Sequence, residues 1–410
     1  MMKRALICTV GVGTGIQRPI SKSIKDHNPT KVVLLASEES KDKAESIIDD
    51  FESDFDMTFE SVFDPDDLQT CYDKSLTLID ELSEEGFDKG DIFLNITSGT
   101  KPMSAGLALA GVAQKCGSFT YITGSRDEDG RVINGTERIY SMEPILPIAD
   151  SLIAEARTYF DKHSYEMALN VSKDVLKYSS EKRIHEEAKF ISTLSEGYFK
   201  WDIFKHKEAI DFIEDVDAKI LAVKQQDKFG MNLSHLKNCI EEKKSKAGLG
   251  EYLIVDLFAN LLRRMDEGKY DDAVARCYRC LEMLGQWKLW DEHGLHHADI
   301  DISPEYFTDS QVKILKRWKG KNSQLSVGLK KVWEILGMVD IDLPEDPIKE
   351  KGFLDILAAR NTSILAHGSE PISKSSCEKF KDKLKEELQE SIDGFDSKLE
   401  KAKHLKLGEI

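Results

Sequence analysis

Short runs of β-branched and aromatic residues punctuate the first third of the chain: ALICTV (5–10), KVVLLAS (31–37), MTFESVF (57–63), DIFLNI (91–96) and SFTYIT (118–123). Apolar runs of this length, bounded by polar stretches, read as strands covered on both faces. Between them, EESKDKAESIIDDF and DDLQTCYDKSLTLIDELSEE space their apolar residues at helical intervals. Strand–helix alternation predicts an α/β, Rossmann-like domain over 1–145, with a mostly parallel sheet and helices on both faces. GRVINGTERIY (130–140) sets Asn134-Gly135 between alternating residues, a hairpin signal that would add an antiparallel edge.

From about residue 146 the strand-like runs vanish and the apolar spacing is helical. SLIAEARTYFDKHSYEMALNVSKDVLKY (151–178) reads as two helices joined at Lys162-His163-Ser164. The same shape returns at 188–216 and 252–284, each time with an alanine early in the second helix: Ala168, Ala209, Ala273. The uneven spacing of these alanines argues against a true repeat array. The polar, Gly-containing EEKKSKAGLG (241–250) marks a boundary. The expected organisation is therefore the α/β domain at 1–145, an all-α helical-hairpin region at 146–250 and an all-α domain at 251–410.

Composition narrows the function. Net charge is −17, which argues against holding long nucleic acid through bulk charge. Seven scattered cysteines, an odd number in a long chain, do not suggest a disulfide framework. No apolar run approaches the ~20 residues that span a bilayer, and ALICTV is short for a signal peptide. A cytoplasmic protein with no membrane association is expected.

Two Gly-rich loops follow strands. GVGTG supplies Gly11, Val12, Gly13, Thr14 and Gly15 after the first strand; NITSGTKPMS supplies Thr97, Ser98, Gly99, Thr100 and Lys101 after the fourth. In a 3-2-1-4-5 sheet these strands are neighbours at the topological switch point, so both loops line one crevice. Backbone N–H groups from one loop, with hydroxyls and a lysine from the other, suit a phosphorylated ligand. A dinucleotide fingerprint fails because its third glycine falls on Ile16. A nucleotide-dependent oxidoreductase is disfavoured for the same reason. Cys277-x2-Cys280-x12-His293-x3-His297 has zinc-finger spacing, but both cysteines fall in a helical stretch rather than a hairpin. No metal and no cofactor are expected.

The segment RNTSILAHG (360–368) carries the other candidate chemistry. Arginine and histidine at this kind of spacing arise about once by chance in a chain of this composition, and Arg157-x5-His163 is one accident. The reading therefore depends on context. Arg360 and His367 are separated by nearly two turns, so a continuous helix would place them on one face. His367 can act as general acid or base on a ribose 2′-OH and a leaving 5′-oxygen. Arg360 can stabilise charge on a scissile phosphate, and Asn361 can orient either. One motif supplies a single histidine, so a composite site calls for a C₂ homodimer.

YDDAVARCYRCLEMLGQWKLW (270–290) followed by RNTSILAHGSE resembles the first and catalytic helices of a HEPN ribonuclease domain. ICTVGVGTG and LNITSGTKPMSAGLALA resemble the two ligand loops of a CARF domain. Together they are similar to the CARF–HEPN accessory ribonucleases of type III CRISPR systems. The resemblance implies an α/β CARF domain that binds a cyclic oligoadenylate activator, and a HEPN dimer that cuts single-stranded RNA without metal. Products would carry a 2′,3′-cyclic phosphate and a 5′-hydroxyl. Arg360, Asn361 and His367 fall on the catalytic motif, with six residues between Arg and His, the upper end of the family's range. No stable association with the CRISPR complex is expected. Short loops favour cyclic tetra-adenylate over hexa-adenylate. A ribose 2′-OH held in line by these loops would also let the CARF domain cut its activator. The stretch 311–333 has seven Lys/Arg and no acidic residue, and Lys316, Arg317, Trp318 and Lys319 are candidates for RNA contact. The competing reading is a CARF ligand sensor with a non-catalytic helical interaction module.

Overall fold

The computed structural model describes residues 3–408 except 14, 51–54, 126–127, 129–131, 134, 320–324, 326, 341, 344–346, 351 and 365–368. The chain forms two compact units, one of residues 1–154 and 171–189, the other of 155–170 and 190–410.

The first unit is built on a six-stranded sheet: β1 Ala5–Val10, β2 Lys31–Ser37, β3 Asp56–Val62, β4 Ile92–Asn95, β5 Ser118–Thr123 and β6 Arg138–Met142. Their order is β3-β2-β1-β4-β5-β6, parallel except for the β5–β6 pair. The antiparallel edge expected from the sequence is therefore present, with β5 as its partner; Asn134 of the expected turn lies outside the described residues. Helices α1 Gln17–His27, α2 Lys41–Asp50, α3 Leu68–Glu84 and α4 Lys101–Gln114 cover the sheet. Side-chain alternation explains the two layers. Ala5 and Ile7 of β1 join Cys71, Leu78 and Leu107 in one core, while Leu6, Cys8 and Val10 join Ile20, Ile24 and Ile47 in the other.

Eight further helices run to the end of the hairpin-bearing stretch and the central helix of the second unit: α5 Leu146–Asp161, α6 Tyr165–Tyr178, α7 Lys182–Asp202, α8 His206–Glu214, α9 Val223–Lys244, α10 Glu251–Asp266, α11 Tyr270–His293 and α12 Asp309–Lys319. The three hairpins read from the sequence are α5–α6, α7–α8 and α10–α11. Five more complete the chain: α13 Leu329–Val339, α14 Pro347–Glu350, α15 Leu354–Thr362, α16 Lys374–Ser391 and α17 Phe395–Ala402. Among the described residues, no helix is long and apolar enough to cross a membrane.

The second unit is organised by two devices. Helix α11 is the centre of the larger core and packs against α10, α13, α15 and α16. A methyl group at Gly285 would stand 2.6 Å from Val332 Cγ1, so glycine permits the close crossing of α11 and α13. The second device is a buried carboxylate. Asp256 on α10 accepts from Trp201 Nε1 (2.7 Å) on α7 and His206 Nε2 (2.8 Å) on α8, and lies 3.3 Å from His235 Nε2 on α9. Burial opposes its charge, but the hydrogen bonds from His206 and His235 prevail and hold its carboxyl well below the ordinary range.

Candidate functional site

The loops after β1 and β4 meet at the switch point between those strands. Thr9 Oγ1 donates to the Ser98 carbonyl, joining the strand end to the second loop. A Cβ on Gly11 would lie 2.9 Å from the Gly99 amide nitrogen, so the two loops touch backbone to backbone. Gly99 has φ +88° and Gly15 has φ +80°, a region that favours glycine. Thr100 caps α4, its hydroxyl accepting from Met103 N at 3.3 Å and donating to the Pro65 carbonyl.

A cavity of about 310 Å³ opens there, and Gly11, Val12, Gly13, Ser98, Gly99 and Thr100 contribute to its walls. Three expected ligand residues stand elsewhere. Thr97 Oγ1 accepts from Ile122 N at 3.0 Å and so is turned to β5. Gly15 is exposed, and Lys101 is exposed at the first position of α4. Thr14 lies outside the described residues. Sequence reasoning missed Ser37, Pro65 and Asp66, which also line the cavity. It also missed Lys43, whose Nζ donates to the carbonyls of Val12 and Gly13. Lys43 comes from α2, behind a strand, and no local motif connects it to the glycine loop.

On the second unit, Arg360 and Asn361 sit in the last turn of α15. Arg360 Nη1 donates to Asn361 Oδ1 at 3.2 Å, and its guanidinium lies over the Tyr278 ring of α11 at 5.2 Å. A cation above an aromatic face is attracted by the ring quadrupole, so Tyr278 orients Arg360. The expectation of one continuous helix through Arg360 and His367 is corrected. Helix α15 ends at Thr362; Ser363 is extended, its hydroxyl donates to the Arg360 carbonyl at 2.9 Å, and it bridges to Glu370. Serine bonding its own local backbone competes with the next helical turn. His367 lies outside the described residues.

The basic stretch is divided. Lys316 and Arg317 are exposed on α12, and Lys319 is half-buried. Trp318 packs against the core, and Lys331 Nζ lies 5.3 Å from its ring centroid. Its ring is therefore already engaged by the protein.

The finger-like spacing does not form a finger. Cys277 and Cys280 are buried in α11, their sulfurs near the Phe380 and Ile254 carbonyls at 3.6 and 3.8 Å. His293 is on the same helix, about 20 Å further along at 1.5 Å per residue, too far to share an ion. Among the described residues, ligand types do converge at His206, Cys239 and Asp256, and at Glu292, His293 and Asp340. The first cluster is the hydrogen-bonded carboxylate above. His163, of the accidental Arg157–His163 match, is likewise structural: its Nδ1 is 3.0 Å from Tyr165 OH.

A doubly covered sheet carrying two adjoining Gly-rich loops, followed in the chain by a helical unit with a surface Arg-Asn pair, is the arrangement of a two-part effector of the CARF–HEPN class. The model of the Csm6 HEPN domain matches residues 242–391, and that of the Csm6 6H domain matches 149–245. Together they span more than half of the chain, which belongs to the Csm6 family of CARF–HEPN accessory ribonucleases of type III CRISPR systems. Among solved structures, Enterococcus italicus Csm6 bound to cyclic hexa-2′-fluoro-hexa-dAMP is 13% identical, with a TM-score of 0.59 over 99% of both chains. Can2 from Sulfobacillus thermosulfidooxidans, in complex with cyclic tetra-adenylate, is also 13% identical, covering 51% of this chain and 69% of its own at a TM-score of 0.24. No curated protein matched.

Proposed function

We propose that the protein is a metal-independent endoribonuclease of single-stranded RNA, switched on when a cyclic oligoadenylate fills the cavity between the β1 and β4 loops. The observation that carries this reading is the pairing of Arg360 with Asn361 inside the segment that matches the Csm6 HEPN domain. In the reaction His367 moves the protons: it takes one from the ribose 2′-OH or returns one to the 5′-oxygen. Arg360, aimed by Tyr278 and Asn361, stabilises the phosphate as charge builds on it. Attack by the neighbouring 2′-OH yields a 2′,3′-cyclic phosphate and needs no metal-bound water. A homodimer brings two such motifs to one cleft and two loop cavities to one ring. The domain that holds the ring is also read as cutting it slowly.

The small cavity favours cyclic tetra-adenylate. The hexameric ring enters as the second reading because the E. italicus Csm6 structure holds a six-membered analogue. A fluorescent RNA reporter, incubated with purified protein in EDTA with either ring or neither, tests the proposal. Cleavage only with a ring, leaving cyclic phosphate ends, is expected. No cleavage with either ring supports the competing sensor reading. Labelled ring incubated with excess His367→Ala protein separates activator cutting from RNA cutting.

A further inference from the structure

The second unit contains a cavity of about 630 Å³ that neither set of functional loops touches, walled by α9, α10, the end of α17 and the C-terminal residues that follow it. Five cationic side chains line it, Lys224, Lys228, Arg263, Lys403 and Lys406, in a chain of net charge −17. Two carboxylates oppose them, Asp266 and Glu400. Glu400 holds two of the lysines in place, at 2.8 Å from Lys228 Nζ and 3.0 Å from Lys403 Nζ. His163 and His404 also reach the wall. Burial first, then the Arg263 charge, pushes His163 down to about 4 and His404 well below its ordinary value. Both are neutral near pH 7, so the positive potential comes from the lysines and Arg263.

Arg263 is 3% exposed. Its Nε donates to Asp202 Oδ1 at 2.8 Å, but Nη1 and Nη2 have no acceptor in the protein. His404 shows the same asymmetry: Nδ1 meets Tyr165 OH at 2.6 Å, and Nε2 has no partner. A buried guanidinium normally has its donors satisfied. Here the idle edge of the fork belongs to a residue of a cation-lined cavity, and that fork matches the oxygens of a phosphate. A volume of this size suits a small ligand.

We propose that this cavity binds a phosphate-bearing anion up to the size of a mononucleotide, with Arg263 as its anchor and the rim lysines drawing it in. Arg263 Nη1 and Nη2 are sealed from solvent, so engagement moves the cavity wall locally, and four of its lining residues are lysines with flexible stems. The site is separate from the cyclic-oligoadenylate cavity and does not depend on the ribonuclease reading.

Inorganic phosphate and AMP, titrated separately into the full-length protein by calorimetry and ³¹P line broadening, test it. One saturable site per chain is expected. Lys224→Glu and Lys403→Glu, both on exposed side chains, should each weaken it at least tenfold without shifting the urea midpoint of the free protein. Gly13→Val, in the other cavity, should leave it unchanged. Tighter binding of AMP identifies a nucleotide as occupant, and equal or tighter binding of phosphate identifies the free ion; either supports the site. No saturable binding, binding untouched by both lysine variants, or binding lost in Gly13→Val overturns the proposal. Arg263→Lys is informative only if its urea midpoint matches wild type, and should then bind at least tenfold more weakly.

Discussion

Single residues divide sharply into those that serve chemistry and those that serve the fold. Arg360 is near the surface, and among the described residues its guanidinium meets its neighbour Asn361 and the Tyr278 ring. Arg360→Ala and His367→Ala should therefore each lower the rate of RNA cleavage by ~10² or more while the far-UV spectrum and urea midpoint hold; wild-type cleavage in either would remove that residue from the site. His163 belongs to the other class. Its folded pKa of about 4 lies below its free value of 6.5, set by burial and by Arg263. Between those values the unfolded chain binds the extra proton, so the histidine's contribution to stability is intact above 6.5 and lost as pH falls toward 4. Going from pH 7 to pH 5 should cost about 2 kcal/mol through this group. In His163→Gln that loss is absent, so the stability gap between variant and wild type should narrow over the same interval. A gap that stays constant would mean that His163 does not titrate as its surroundings dictate.

At the scale of elements, the α/β half was legible almost residue for residue. The central strands β1, β2 and β4 are short apolar runs, and burial on both faces leaves that pattern little alternative; the edge strand β3 is half-exposed and mixes Thr, Glu and Ser into its run. The three hairpins were legible for the same reason, because their polar turns interrupt a regular apolar period. Helix α9 was obscured: its polar end, Glu241 to Lys244, looked like a linker although it continues the helix. The break at Ser363 was also hidden, because a local hydroxyl bond and a bridge to Glu370 accompany it, and periodicity over nine residues registers neither. Lys43 at the glycine loop is a contact between distant segments, which no local spacing encodes. The two loops carry a paired prediction. Gly13 has room for a Cβ, which among the described residues beyond its chain neighbours would first meet Ile16 at 3.9 Å, whereas Gly11 does not. Gly13→Val should fold normally and lose activation by cyclic oligoadenylate, because its side chain enters the space proposed for the ligand. Gly11→Ala should instead lower the urea midpoint by forcing the loops apart. Activation retained in Gly13→Val would exclude this cavity as the activator site.

Across the molecule, positive charge is local: the lysine-rimmed cavity of the second unit and the exposed Lys316 and Arg317 of α12 stand against a net charge of −17. Salt should accordingly weaken the anion binding proposed for that cavity with little effect on the fold. The buried Asp256 has a consequence for how the protein can be divided. It sits in the segment matching the HEPN domain, yet Trp201, His206 and His235, its partners, all sit in the segment matching the 6H domain. Asp256→Asn would set an amide N–H against an imidazole donor and should cost about 3–5 kcal/mol, the range for breaking a buried charged pair. An unchanged urea midpoint in that variant would contradict the role. The border that two sequence families draw near residue 245 is thus no seam in the material. A chain cut there would strand an anion on one fragment and its three donors on the other, so neither piece should be recoverable as a stable protein, and anyone seeking the minimal nuclease must carry the preceding helices along.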